Sequence, residues 1–87
     1  MHYVYVIVNE QGRNYTGYTS DLRNRLKAHN EGLNKSTKGH QWELVYYEAF
    51  KAETDAKQRE KNLKNSGQAR RWLRERIKDS MLKGEDY

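Results

Sequence analysis

The sequence predicts an α+β fold: a small, mostly antiparallel three-stranded sheet packed with helices, in the order β-β-α-β-α-α. Three observations predict it. Two apolar, tyrosine-bearing runs near the N-terminus flank a short segment with glycine. The stretch from Trp42 to Phe50 alternates with period two. Three other segments, beginning near Ser20, Thr54 and Gly67, space their apolar residues as helices do.

The hairpin comes first. Tyr3-Val4-Tyr5-Val6-Ile7-Val8 and Tyr15-Thr16-Gly17-Tyr18 are joined through Asn9-Glu10-Gln11-Gly12, and β-branched and aromatic runs around such a turn are a hairpin signal. Tyr3, Tyr5 and Ile7 fall on one face of the first run, and Val4, Val6 and Val8 on the other. Both faces are apolar or aromatic, so this strand is expected to be central and covered on each side. Gly12 suits a positive-φ turn position, and Gly17 allows a close approach to the backbone.

A helix follows. Ser20 is placed to cap it, with Asp21 in the first turn, where the helix dipole favours negative charge. Gly32 can end it. Leu22 and Leu26 mark the inward stripe. Arg25 and His29 lie three and seven residues after Leu22 and are expected at the edge of the core. The segment Glu31 to Gln41 reads as an exposed basic loop carrying Lys35 and Lys38.

In the third strand, Trp42, Leu44, Tyr46 and Phe50 are expected to share one face, interrupted by Glu48. Thr54 can cap the next helix, which runs to about Lys64 before Asn65-Ser66-Gly67 breaks it. Its apolar positions are few, Ala56 and Leu63, and Glu60 falls between them. That places a carboxylate on the one stripe able to face the sheet. The last helix sets Ala69, Trp72, Leu73, Ile77 and Met81 against Arg70, Arg71, Arg74 and Lys78. Trp42, Tyr46, Tyr47 and Trp72 are assigned to the core, and Arg70, Arg71 and Arg74 to a solvated face. Residues 1–82 form a single domain in this reading, and 83–87 a polar tail that frays.

Composition narrows the function. A chain of 87 residues makes a small core, burying roughly 60% of the surface its unfolded form exposes. The absence of cysteine excludes disulfides and zinc–thiolate sites. No signal-peptide pattern or membrane-length apolar run occurs, so the expected compartment is the cytoplasm. Seventeen Lys and Arg against twelve Asp and Glu give a net charge of +5. That balance favours a polyanionic partner, nucleic acid ahead of membrane.

Clustered phenols, an arginine at a core edge, a histidine one turn later and an isolated carboxylate are the parts that phosphodiester hydrolysis needs. One carboxylate plus waters can hold a hard cation. A cationic donor can stabilise charge developing on a phosphate. A further group must orient and deprotonate water. A phenol, with an ordinary pKa of about 10, serves as a base only beside a metal or another cation.

These residues resemble the GIY-YIG nuclease superfamily from Tyr3 to about Ile77. Tyr3-Val4-Tyr5 stands where the first signature triplet belongs, and Tyr15-Thr16-Gly17 where the second does. The segment Tyr18 to Asn30 is similar to the family's arginine-bearing helix, and Ala56 to Lys64 to its metal-binding helix. The likeness is strongest to small stand-alone members, related to the incision module of bacterial nucleotide-excision repair. It implies that Tyr5 and Tyr15 line the site and position or deprotonate the water, with Tyr15 the preferred base. It further implies that Arg25 clamps the scissile phosphate, that His29 assists proton transfer or phosphate binding, and that Glu60 is the lone ligand of one Mg²⁺ or Mn²⁺. Gly17 would let the backbone pass close to the site, and Lys35 and Lys38 are the favoured phosphate contacts of the loop. Tyr3 replaces the leading glycine of the first triplet, Thr16 an apolar residue of the second, and Tyr18 a lysine found in some relatives.

The resemblance therefore implies a metal-dependent endonuclease acting on DNA, with RNA still open and a protein partner able to supply specificity. Competing readings stay open at the level of sequence. Tyr5 and Tyr15 could simply pack the sheet, Arg25 and Glu60 could form a structural ion pair, and His29 could be a surface histidine. The protein could be a basic nucleic-acid-binding module of the same fold that cuts little. An adaptor using the last helix would show an exposed apolar patch there.

Overall fold

The centre of the sheet is β1 (His2–Asn9), flanked by β2 (Asn14–Thr19) on one side and β3 (Trp42–Phe50) on the other, with both pairings antiparallel. The computed structural model describes residues 1–81. Between β2 and β3 lies α1 (Leu22–Asn30), and after β3 come α2 (Glu53–Asn65), α3 (Gly67–Arg76) and a last turn, α4 (Lys78–Met81). The α+β architecture and the order read from the sequence are borne out. The proposed tail at 83–87 lies outside the described residues. Among the described residues no helix is long and apolar enough to cross a membrane.

β1 is central because both its faces are apolar. Val4 and Val6 join Ala56, Leu63, Ala69, Leu73 and Ile77 in one buried cluster, covered by α2 and α3. Tyr5 and Ile7 join Trp42 in a second cluster on the opposite face, against which Tyr15, Leu22 and Leu26 pack. The helices thus divide: α1 covers one face, and the later helices cover the other.

The hairpin turn has a device that the sequence reading did not anticipate. The buried Asn9 side chain accepts the backbone N–H groups of Gln11 at 2.9 Å and Arg13 at 3.0 Å. This is the turn-forming use of a short amide side chain. Gly12 closes the turn at φ +82°, as expected.

Several local expectations are corrected. Asp21, not Ser20, caps α1, accepting the Asn24 N–H at 3.1 Å. Thr19 holds Asp21 in place by accepting its N–H at 3.0 Å. α2 begins at Glu53, ahead of Thr54, and its N-cap Ala52 makes no side-chain cap bond. Glu53 and Asp55 bring negative charge to that end. The face of β3 is also divided. A register shift opposite Val6 and Ile7 turns Val45, Tyr46 and Phe50 toward the first cluster, and leaves Trp42 and Leu44 with the second. A β-bulge does this by inserting one residue and inverting the alternation beyond it.

Two aromatic residues assigned to the core are on the surface. Tyr47 is 52% exposed and Trp72 is 66% exposed. On α3 the buried stripe is the narrow row Ala69 and Leu73, continued by Ile77, and Trp72 falls beside it. Trp72 opens onto a cleft of mixed lining, in which Arg59, Gln68 and Arg76 stand beside Ala69 and Leu73. The single last helix is broken at Ile77, which caps α3. Arg70 does more than meet solvent. Its guanidinium donates to the carbonyls of Leu63 at 3.0 Å and Lys64 at 2.7 Å, closing the C-terminal end of α2.

Candidate active site

The site is built around the phenol of Tyr5, which points from the middle of β1 into the face covered by α1. Gly17 sits directly opposite it on β2. A Cβ built on Gly17 would fall on the Tyr5 hydroxyl and ring, 2.9 Å from Cε2. The close approach expected at Gly17 is therefore that of Tyr5 itself rather than of a ligand. Lacking a side chain, Gly17 lets the phenol lie flat across the neighbouring strand.

His29 meets that phenol. Its Nε2 and the Tyr5 hydroxyl share a 2.7 Å hydrogen bond, and its Nδ1 shares another of 2.7 Å with Thr37 Oγ1. The expectation that His29 sits at a core edge is corrected, because the residue is wholly buried. The reason is the loop. Thr37 folds inward, also wholly buried, and its carbonyl accepts the Trp42 indole N–H at 2.9 Å. A segment that composition marks as an exposed basic loop is in fact pinned by its one inward threonine. The signal available in the sequence was the Ser36-Thr37 pair between two lysines, and nothing local distinguishes its inward member.

Burial depresses the His29 pKa, and the Arg25 charge adds to the effect, so the imidazole is neutral at pH 7. The Tyr5 phenol is pushed up to about 12, mainly by burial. Hydrogen bonding and charge from Arg25 oppose the rise, while Tyr15 and Glu60 add to it. The phenol therefore feels Arg25, Tyr15 and Glu60 together while it bonds His29. Of the five residues expected to do chemistry, His29 bonds the Tyr5 phenol directly, and Arg25, Tyr15 and Glu60 lie near enough to act on it electrostatically.

The surrounding groups are arranged asymmetrically. The Tyr15 ring stands edge-on to His29 at 5.2 Å and to Trp42 at 6.4 Å. Its hydroxyl forms no hydrogen bond among the described residues. Lys64 Nζ lies 5.4 Å from the centre of the Tyr15 ring and pairs with Glu60 Oε2 at 3.1 Å. Glu60 thus pairs with Lys64 rather than Arg25, which instead donates to the Tyr18 carbonyl at 3.2 Å. Arg25 is exposed, as are Lys35 and Lys38 on the docked loop.

Beyond Tyr15, the Tyr18 hydroxyl donates to Glu53 at 3.0 Å, and Lys57 Nζ sits 5.6 Å over its ring. Tyr3 contacts Tyr47 edge-on at 5.8 Å and belongs to packing.

As a ligand for a divalent cation, Glu60 is a single, partly exposed carboxylate. Its Oε2 is shared with Lys64, and Oε1 has no protein partner among the described residues. No cluster of three or more His, Cys, Asp or Glu side chains able to hold a metal exists among them. That donor set fits Mg²⁺ or Mn²⁺, which keep most of their waters, and does not fit an all-protein calcium or zinc cage.

The chain is similar to known proteins over most of its length. Residues 1–75 match the family model of the GIY-YIG catalytic domain. A UPF0213 protein of Clostridium perfringens is 36% identical over 89 aligned residues, covering all of this chain and 94% of its own length. One from Halobacterium salinarum is 38% identical over 73 residues, covering 82% of this chain and 95% of its own. The solution NMR structure of a UPF0213 protein from Bacillus halodurans superposes with a TM-score of 0.53 at 36% identity, covering 83% of this chain and 80% of that one. The chain belongs to the GIY-YIG family, whose catalytic domain is that of a nuclease.

Proposed function

We propose that this protein is a metal-dependent endonuclease that hydrolyses DNA phosphodiester bonds. The observation that carries this reading is that the Tyr5 phenol bonds His29 while Tyr15 packs against the same imidazole and Lys64, the partner of Glu60, lies over the Tyr15 ring. A packing cluster has no need of a carboxylate and an unengaged phenol so close together, with the Arg25 charge acting on the same site.

Each residue has a role in keeping with its surroundings. Glu60 would hold the divalent cation through Oε1, and the ion, when bound, supplies Lewis-acid stabilisation of the phosphate oxygens. Arg25 is exposed on one side of the phenols, and its guanidinium can clamp the phosphate by charge-assisted bonds. Tyr15 is the base in this reading, because its hydroxyl is unengaged while that of Tyr5 is committed to His29. Tyr5 orients the attacking water and the phosphate, and His29 acts through Tyr5 by fixing its hydroxyl. Lys35 and Lys38 contact flanking phosphates, giving binding that weakens steeply with salt.

One observation favours a second reading, a basic nucleic-acid-binding module with little cleavage. The Glu60 carboxylate is already engaged by Lys64, and a cation must compete for it. Incubation with single-stranded, duplex and branched DNA, with Mg²⁺ or Mn²⁺, separates the two. The nuclease reading expects cutting by the parent that Glu60→Ala and Arg25→Ala each abolish. Cutting that survives both substitutions would sink the mechanism, and binding by the parent without cutting would establish the module.

A further inference from the structure

We infer that Thr37 is a positioning residue of this site, holding His29 in the tautomer whose Nε2 accepts the Tyr5 hydroxyl. The effect on cleavage rests on the nuclease reading, whereas the effect on the imidazole does not.

The inference follows from counting hydrogens along a closed chain of bonds. Tyr5, His29 and Thr37 are each buried to within 2% of completeness, and no buried side-chain polar atom among the described residues lacks a partner. A neutral imidazole has one N–H, so it donates at one end and accepts at the other. Two assignments are conceivable. Either Thr37 donates inward to Nδ1, or it accepts from Nδ1–H and sends its own hydrogen elsewhere.

The loop offers the second arrangement an acceptor, through a long contact. Thr37 Oγ1 lies 3.4 Å from the Asn34 carbonyl, which already accepts the Thr37 backbone N–H at 3.1 Å. A threonine hydroxyl turned back to the carbonyl three residues earlier is a recurrent local pattern. With its hydrogen sent to Asn34, Oγ1 receives Nδ1–H, and Nε2 presents its lone pair to Tyr5. The Tyr5 oxygen then spends its only hydrogen inward and keeps both lone pairs for cationic or hydrogen-donating groups at the surface, Arg25 among them. In the opposite tautomer the phenol would accept Nε2–H and turn its hydrogen outward, toward that guanidinium. The Thr37 backbone is itself held by the Trp42 indole N–H, which donates to its carbonyl. Holding an imidazole in one tautomer through the nitrogen remote from the chemistry is how such rings are made to work in a single direction.

The test is to label the full chain with ¹⁵N-histidine and record long-range proton–nitrogen correlations above pH 7, where His29 is neutral. In the parent, and in Thr37→Ser, His29 should carry its proton on Nδ1. In Thr37→Val, which keeps the shape and removes the hydroxyl, Nε2–H should become the main or an equal form. With duplex DNA and Mg²⁺, Thr37→Val should lower kcat by roughly 10-fold or more with little change in KM, and Thr37→Ser should restore most of it. An Nε2–H proton on His29 in the parent overturns the inference, and so does an unaltered Nδ1–H in Thr37→Val. An altered tautomer with unchanged kcat also overturns it. Should Thr37→Val fail to fold, the parent and Thr37→Ser spectra decide. A parent that cuts no DNA overturns the nuclease reading instead, and the spectra then decide the place of Thr37 alone.

Discussion

Gly17 stands directly across the ladder from Tyr5, and the space its side chain would fill is occupied by the Tyr5 phenol. The second signature triplet thereby shapes the first. Gly17→Ala should force the ring aside, weaken its bond to His29, and destabilise the fold by about 1–3 kcal/mol, the usual cost of overpacking. Denaturant unfolding measures this directly. A variant within ~0.5 kcal/mol of the parent would show that the ring moves away at little cost.

The buried His29 ring gives a pH dependence of known sign. Its folded pKa lies below the ordinary value of 6.5, so the unfolded chain binds a proton that the folded chain refuses. The contribution to stability is fully present above pH 6.5 and shrinks as the pH falls toward the folded pKa. An NMR titration should show His29 still neutral after free histidine has begun to protonate. A His29 midpoint at or above 6.5 would contradict the burial argument.

A carboxylate on the hairpin turn ties the turn to the loop before β3. Glu10 accepts from His40 at 2.6 Å and from the Gln41 N–H at 2.9 Å, and these bonds bring its pKa down to about 2. The linkage is ordinary acid loss, with the same sign as that of His29 but at lower pH. Its contribution is present above the ordinary 4.5 and disappears as the pH falls from there toward 2. The pair is exposed, so the contribution is small and salt-sensitive. A carboxyl-carbon titration of Glu10 with its midpoint near 4.5 would mean that the turn and the loop are not joined in solution.

Asn9→Ala tests the turn itself. Two backbone N–H groups lose their acceptor while the residue stays buried, at a cost of roughly 1–3 kcal/mol. Hydrogen exchange at Gln11 and Arg13 should accelerate markedly. Unchanged protection at both amides would assign their bonding elsewhere.

For the proposed reaction, Arg25→Lys should rescue little of what Arg25→Ala loses, because an ammonium cannot offer the two parallel bonds of a guanidinium. The expected loss is on the order of 10²–10³ in kcat. Chelation of divalent ions should stop cleavage, and added Mg²⁺ should restore it. Equal activity of the lysine variant and the parent would reduce Arg25 to a point charge.

Much of the site was legible because its residues sit on regular elements. A strand apolar on both faces had to be central, and a helix begun near Asp21 had to place Arg25 and His29 toward one side. Period-two alternation located β3 from Trp42 to Phe50. What was not legible depends on contacts between segments far apart in the chain. The burial of His29 needs Thr37, eight residues on in an irregular loop that no periodicity describes. The choice of Lys64 over Arg25 as partner of Glu60 follows from one turn of α2, whereas an ion pair with Arg25 had to be judged across two elements.

By itself, the sequence determined the α+β order, the central place of β1 and the turn at Gly12, because these follow from local sterics and hydrophobic period, and its signature triplets carried the resemblance to the family. The tertiary structure alone decided that Tyr5 lies over Gly17 and bonds a buried, neutral His29. It alone decided that a bulge divides β3 between two cores, and that Trp72 lies on the surface. Those outcomes are set by how the sheet and helices pack, since register, loop docking and burial depend on which distant surfaces meet.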